Sequence, residues 1–342
     1  MVRLHVSWRH GWQVAALGLA LALAGACNKE DKKANAPGDK TAEKGDKPGV
    51  ASSGSSAAVD DLTLLPLDSE LVLGINFAQV QQSSLWKQFV EPKLMSGDVQ
   101  AKFAEFKAKC DFDPMASFKS MSVGLKGLGT DKPDGVVVMH GIDKTKALAC
   151  IDKTKAELTK DGGEVTRDGD VVLVKGKNNE QFAVMFVNDN TAVAAIGEKG
   201  NTAGVKQVAQ GGSTLKSSPP FLDMYGKVKT GDSLWFLLNG NAKIFEKAAG
   251  MGVKPKAVFG SLNVTDGLSL DMRMRMDTPD AAAQFANMGK AQIQQAAKMF
   301  DQIDVNADGA DVKFLVVLSN QKLQALIAQV GGMLGGIGGM GK

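Results

Sequence analysis

Past residue 61 the chain moves between two hydrophobic rhythms. Short apolar runs bounded by turn residues, several of them alternating at every second position, predict strands, whereas apolar positions recurring every three or four residues predict helices. Residues 70–76 (ELVLGIN) read as a strand, followed by a mainly helical stretch over 77–110 that is interrupted near Pro92. Residues 118–128 and 135–141 (GVVVMHG) read as strands on either side of a turn at 129–134. A helix is expected over 143–158, where Ala147, Leu148, Cys150 and Ile151 fall on one face. Two hairpins follow, over 164–175 turning at Asp168-Gly169 and over 181–196 turning at Asn188-Asp189-Asn190, and then a helix over 202–210.

Beyond a loop expected over 211–220 the order recurs, and residues 232–238 (DSLWFLL) echo 68–74 (DSELVLG). Next come a helix over 242–249, strands over 257–264 and 268–276 meeting at Thr265-Asp266-Gly267, and a long helix over 279–299 opened by Thr278-Pro279. A hairpin turning at Ala307-Asp308-Gly309 and a helix over 321–330 complete the second round. The expected fold is α+β, a duplicated unit of mainly antiparallel sheet with helices packed on one face. The first copy spans 61–210 and carries an added hairpin; the second spans 211–330. Residues 331–342 (GGMLGGIGGMGK) read as a flexible Gly/Met-rich tail, or alternatively as a segment whose Met and Leu touch a membrane or partner.

Ahead of residue 61 neither rhythm is present. Residues 1–26 divide into a basic stretch with Arg3 and Arg9, an apolar stretch over 14–24, and the small residues Ala24-Gly25-Ala26. That apolar stretch is roughly half the ~20 residues needed to span a bilayer, so it predicts a secretory signal. Residues 27–60 offer almost nothing to bury, and their six lysines are matched by six acids. Such a segment cannot offset its ordering entropy and is expected to be a disordered linker holding the body about 30 Å from its start.

The segment Leu23-Ala24-Gly25-Ala26-Cys27 resembles the lipobox of bacterial lipoproteins, in which small residues precede a cysteine that becomes the first residue of the mature chain. The preferred leucine three places before the cysteine is replaced by Ala24, with Leu23 one place earlier. The resemblance implies lipidation of Cys27 and a membrane-anchored lipoprotein of the cell envelope. By the sorting pattern of enteric lipoproteins, Asn28 implies the outer membrane. The alternative is cleavage by ordinary signal peptidase, which would release a soluble protein beginning with Cys27. Residues 64–69 (LLPLDS) also resemble the opening of a loose group of exported bacterial proteins of unknown function with a repeated strand-helix unit, which brings no activity with it.

Three cysteines are an awkward number for an oxidising compartment. Lipidation would remove Cys27 and leave Cys110 and Cys150 as a disulfide pair, the alternative being two separate buried thiols. No C-x-x-C spacing suggests a zinc site.

The remaining composition narrows function mainly by exclusion. Formal charge is +3, or about +1 without Arg3 and Arg9, which is too balanced for a nucleic-acid partner. Trp86, Trp235 and Tyr225 are the only large amphipathic rings past the signal, which disfavours sugar binding. His140 is the only histidine there, so Ser-His-Asp chemistry would have to use it, and a packed or solvated role is expected instead. Residues 304–309 (DVNADG) copy the first half of a calcium loop, yet Leu315 stands where its glutamate belongs, and Val312 and Phe314 continue as a strand. A hairpin turn is the better account. Met288, Ile293, Ala296 and Ala297 on the long helix fit core packing, or else a cleft for lipid or a lipoprotein.

No catalytic residue, cofactor site or metal site is nominated. The expectation is a non-enzymatic binding or scaffold protein, anchored to the membrane through lipid on Cys27, with an envelope protein as possible partner. A periplasmic carrier or chaperone for an apolar ligand or lipoprotein is the alternative. An enzyme built on carboxylates and lysines ranks third.

Overall fold

In the computed structural model the described residues are 61–327, apart from 129, 131–132, 160–161, 177–179, 243–244 and 246–254. The chain divides into two units, Met1–Ser52 and Ser53–Lys342, and everything described lies in the second. The signal over 1–26, the linker with Cys27, most of the helix expected over 242–249 and the tail over 331–342 lie outside the described residues.

Among the described residues twelve strands form one antiparallel sheet: β1 (Leu71–Asn76), β2 (Ser120–Lys126), β3 (Asp134–His140), β4 (Glu164–Asp168), β5 (Val171–Lys175), β6 (Gln181–Asn188), β7 (Thr191–Ile196), β8 (Leu234–Asn239), β9 (Ala257–Asn263), β10 (Leu268–Arg275), β11 (Gln302–Asp308) and β12 (Asp311–Leu318). Their spatial order is β11-β12-β10-β9-β8-β1-β2-β3-β7-β6-β5-β4. Read outward from the middle, one half runs β8-β9-β10-β12-β11 and the other β1-β2-β3-β7-β6. The order is the same in both. The added hairpin of the first copy is β4-β5, which extends the sheet beyond β6.

The halves meet where β1 pairs with β8, Leu73 facing Phe236. Asn76 N–H donates to Ser233 C=O at 2.9 Å, and Asn239 N–H donates to Glu70 C=O at 2.7 Å. These reciprocal bonds make Asn76 the counterpart of Asn239 and Glu70 the counterpart of Ser233, an offset of 163 residues. The echo in the sequence aligns Asp68 with Asp232, an offset of 164, and is therefore one residue out of register. A one-residue slip in a strand moves every side chain to the opposite face, so the difference has physical content. In the observed register Val72 and Gly74 share a buried face with Trp235 and Leu237.

Gly74 sits opposite Trp235, whose indole lies over it: a Cβ at Gly74 would meet the indole Nε1 at 2.1 Å. The strand tolerates a glycine at this central position because the ring needs the space.

Among the described residues six helices are the main ones, and five of them start at a side-chain cap. They are α1 (Phe77–Gln82), α2 (Gly97–Cys110), α3 (Lys144–Leu158), α4 (Thr202–Ala209), α5 (Pro219–Tyr225) and α6 (Pro279–Ala296). Asn76, Asp143, Asn201, Ser218 and Thr278 cap α1, α3, α4, α5 and α6 with their side-chain oxygens. Pro92 does not interrupt the 77–110 stretch. It lies in the first turn of the short helix Glu91–Leu94, where a missing N–H costs nothing, and the breaks fall near Ser83 and at residues 95–96.

The long helices of the two copies, α3 and α6, share one face. Ala147 and Leu148 of α3 pack on Val165, Val172, Phe186 and Ala192, while Ala282 and Ala286 of α6 pack on Val305 and Val312. The α+β class and the repeat stand as expected. Cover on the other face is a finding of the structure: Leu62, Leu65, Leu215, Phe221 and Val208 pack over Val72, Val136, Val138, Val193, Trp235, Leu237 and Phe259, and Val205 of α4 packs over Val171, Ala183 and Ala195. Strands buried on both faces explain the near-continuous apolar runs of β5 and β7.

Gly74→Ala is expected to destabilise the protein by about 1–3 kcal/mol through overpacking against the indole, and the penalty should shrink in a Trp235→Leu background. Urea unfolding of the four proteins tests this; equal penalties in both backgrounds would show that the ring contact is not the cause.

Candidate functional site

The polar chemistry of the body gathers at one end of the sheet in each half. In the first half the cross-strand partners Asn76, Ser120, His140 and Thr191 form a row across β1, β2, β3 and β7. In the second half the counterpart row is Asn239, Ala257, Arg275 and Asp311 across β8, β9, β10 and β12. His140 thus occupies the position of Arg275, and Thr191 that of Asp311.

Both ring nitrogens of His140 are engaged. Nε2 lies 2.8 Å from Asp61 Oδ1, and Nδ1 lies 3.2 Å from Thr191 Oγ1. Asp61 is only 3 % exposed, and its backbone carbonyl accepts from the N–H groups of Leu64 and Leu65. Hydroxyl, imidazole and carboxylate therefore stand in the order of a nucleophilic relay.

The second half fills the same position with an ion pair. Arg275 grips Asp311 with Nε to Oδ1 at 2.7 Å and Nη2 to Oδ2 at 3.0 Å, and reaches Asp223 with Nη1 at 2.7 Å. Lys227 adds a bond to Asp311 Oδ2 at 2.9 Å, and the guanidinium carbon lies 5.3 Å from the centre of the Phe259 ring. Asp223 lies on α5 ahead of β8, as Asp61 lies ahead of β1. In each half a basic group at the end of the third strand ties a carboxylate of the lead-in segment to the first residue of a later strand. Thr191, itself buried, fills the position of a buried carboxylate rather than facing open solvent.

Electrostatics follow the geometry. Burial pushes the Asp311 carboxyl up, but the bonds from Arg275 and Lys227 more than offset it and leave the group below the ordinary aspartate value. Arg275 is raised, first by its bond to Asp311 and then, against desolvation, by Asp223.

Other sequence-nominated residues find plainer places. Cys110 and Cys150 form a disulfide that joins the end of α2 to the middle of α3, with Cα atoms 4.5 Å apart and a sequence separation of 40. Residues 304–308 belong to β11, Asp304 pairing with Leu315 in the ladder, and Gly309 turns the hairpin with φ +59°. Trp86 and Trp235 are buried, and Tyr225 packs between Phe221 and Trp235 with ring centres 5.7 and 5.2 Å away. On α6 the apolar stripe is divided: Ile293 packs against the core, but Met288 is 53 % exposed and Ala297 faces solvent. Core packing therefore accounts for only part of that stripe.

Asp61, Thr191, Asp223, Arg275 and Asp311 were not legible as a set. The helix α5, which carries Asp223, begins in the last two residues of the loop expected over 211–220 and continues through 221–225, where the pattern predicts no element, although Ser218-Pro219 is a helix-start signal. Among the described residues no group of three or more His, Cys, Asp or Glu side chains is placed to hold a metal ion, and no described helix is long and apolar enough to cross a membrane. No protein-family model, curated protein or solved structure matches this chain.

Asp311→Asn should cost about 3–5 kcal/mol at neutral pH, because it breaks a buried pair and leaves Arg275 without its main partner. The carboxyl is depressed in the folded state, so its contribution is complete above the ordinary aspartate range and is lost as the pH falls through the folded value. The variant should accordingly show a flatter acid limb in a plot of unfolding free energy against pH; an unchanged limb would refute the assignment. Replacing Cys110 and Cys150 together by Ser should lower stability by about 3–4 kcal/mol, as expected for a loop of this length, with the same loss in wild type under reductant. Denaturant midpoints with and without reductant check it.

Proposed function

We propose that this chain is a lipid-anchored protein of the bacterial cell envelope whose body binds or scaffolds another envelope protein without catalysing a reaction. The observation that carries the reading is the Cys110–Cys150 disulfide: it pairs two of the three cysteines and leaves Cys27, at the end of a signal-like segment, as the odd one. Acyl chains on that sulfur would contribute about 0.8 kcal/mol per buried methylene, and more than one chain makes attachment stable. Asn28 favours the outer membrane as the destination. A non-enzymatic role is supported by the repeat, since the only histidine past the signal occupies a position that the other half fills with an Arg-Asp clamp.

A second reading, a carrier for an apolar ligand, is favoured by one observation. On the face shared by α3 and α6, central residues such as Leu73, Phe236, Leu238 and Leu262 remain partly exposed. A dry cleft there would suit an acyl chain, because the backbone groups of central strands are already paired and only hydrocarbon is on offer.

Cys27→Ala is expected to move the protein from the detergent-rich phase to the aqueous phase, while the N-terminal peptide of wild type carries the mass of acyl chains. Equal partitioning of both proteins would overturn the anchor.

A further inference from the structure

We draw no further inference here: the strongest candidate, the partly exposed apolar floor that Leu73, Phe236, Leu238 and Leu262 form on the sheet face shared by α3 and α6, carries nothing beyond the carrier reading that already rests on it, because nothing among the described residues shows what covers it.

Discussion

The pairing of β1 with β8 is the contact on which the rest of the architecture depends. Each half of the chain builds a sheet with one free edge at its first strand, and neither edge could face water without exposing a ladder of unpaired backbone groups beside Val72, Trp235 and Leu237. Joining the two edges satisfies both ladders at once and creates the apolar layer that Leu62, Leu65, Leu215 and Phe221 then cover. The reciprocal bonds of Asn76 and Asn239 to the carbonyls of Ser233 and Glu70 close the seam at its two ends. The close approach of Trp235 to Gly74 fixes the register between them.

With the halves in register, their differences become interpretable. The same sheet position carries a neutral hydroxyl beside an imidazole in one half and a fully buried carboxylate beside a guanidinium in the other. The job is common to both: fastening the segment before the first strand onto the far side of the sheet. Reading His140 alone invites a catalytic interpretation. Read together with Arg275, it occupies the position from which the other half ties a carboxylate of the lead-in segment to a later strand.

Much of this architecture was legible in the sequence. Strand positions followed from apolar alternation and from turn residues such as Asp168-Gly169 and Asp266-Gly267, and the start of the long helix followed from Thr278-Pro279, because these are local decisions. The pairing of Cys110 with Cys150 was legible by parity. What could not be read was non-local. The offset of 163 rather than 164 depends on which face of β8 is buried, and that is set by β1, some 160 residues away. The clamps of His140 and Arg275 depend on six segments meeting, and the start of α5 was hidden because Pro219-Pro220 reads as a loop until Ser218 is seen to cap it.

The two outermost strands set a limit on how this molecule can assemble. Along β4 only Val165 is buried, and Glu164, Arg167 and Asp168 are exposed; along β11 Gln302, Asn306 and Asp308 are exposed, with Asp304 on the same strand. An incoming strand seeking to extend the sheet would have to lie down beside these carboxylates, desolvating charge with no apolar gain in return. Polymer-like growth through backbone zippering is thereby discouraged at both margins, and whatever associates with this body is steered toward its faces.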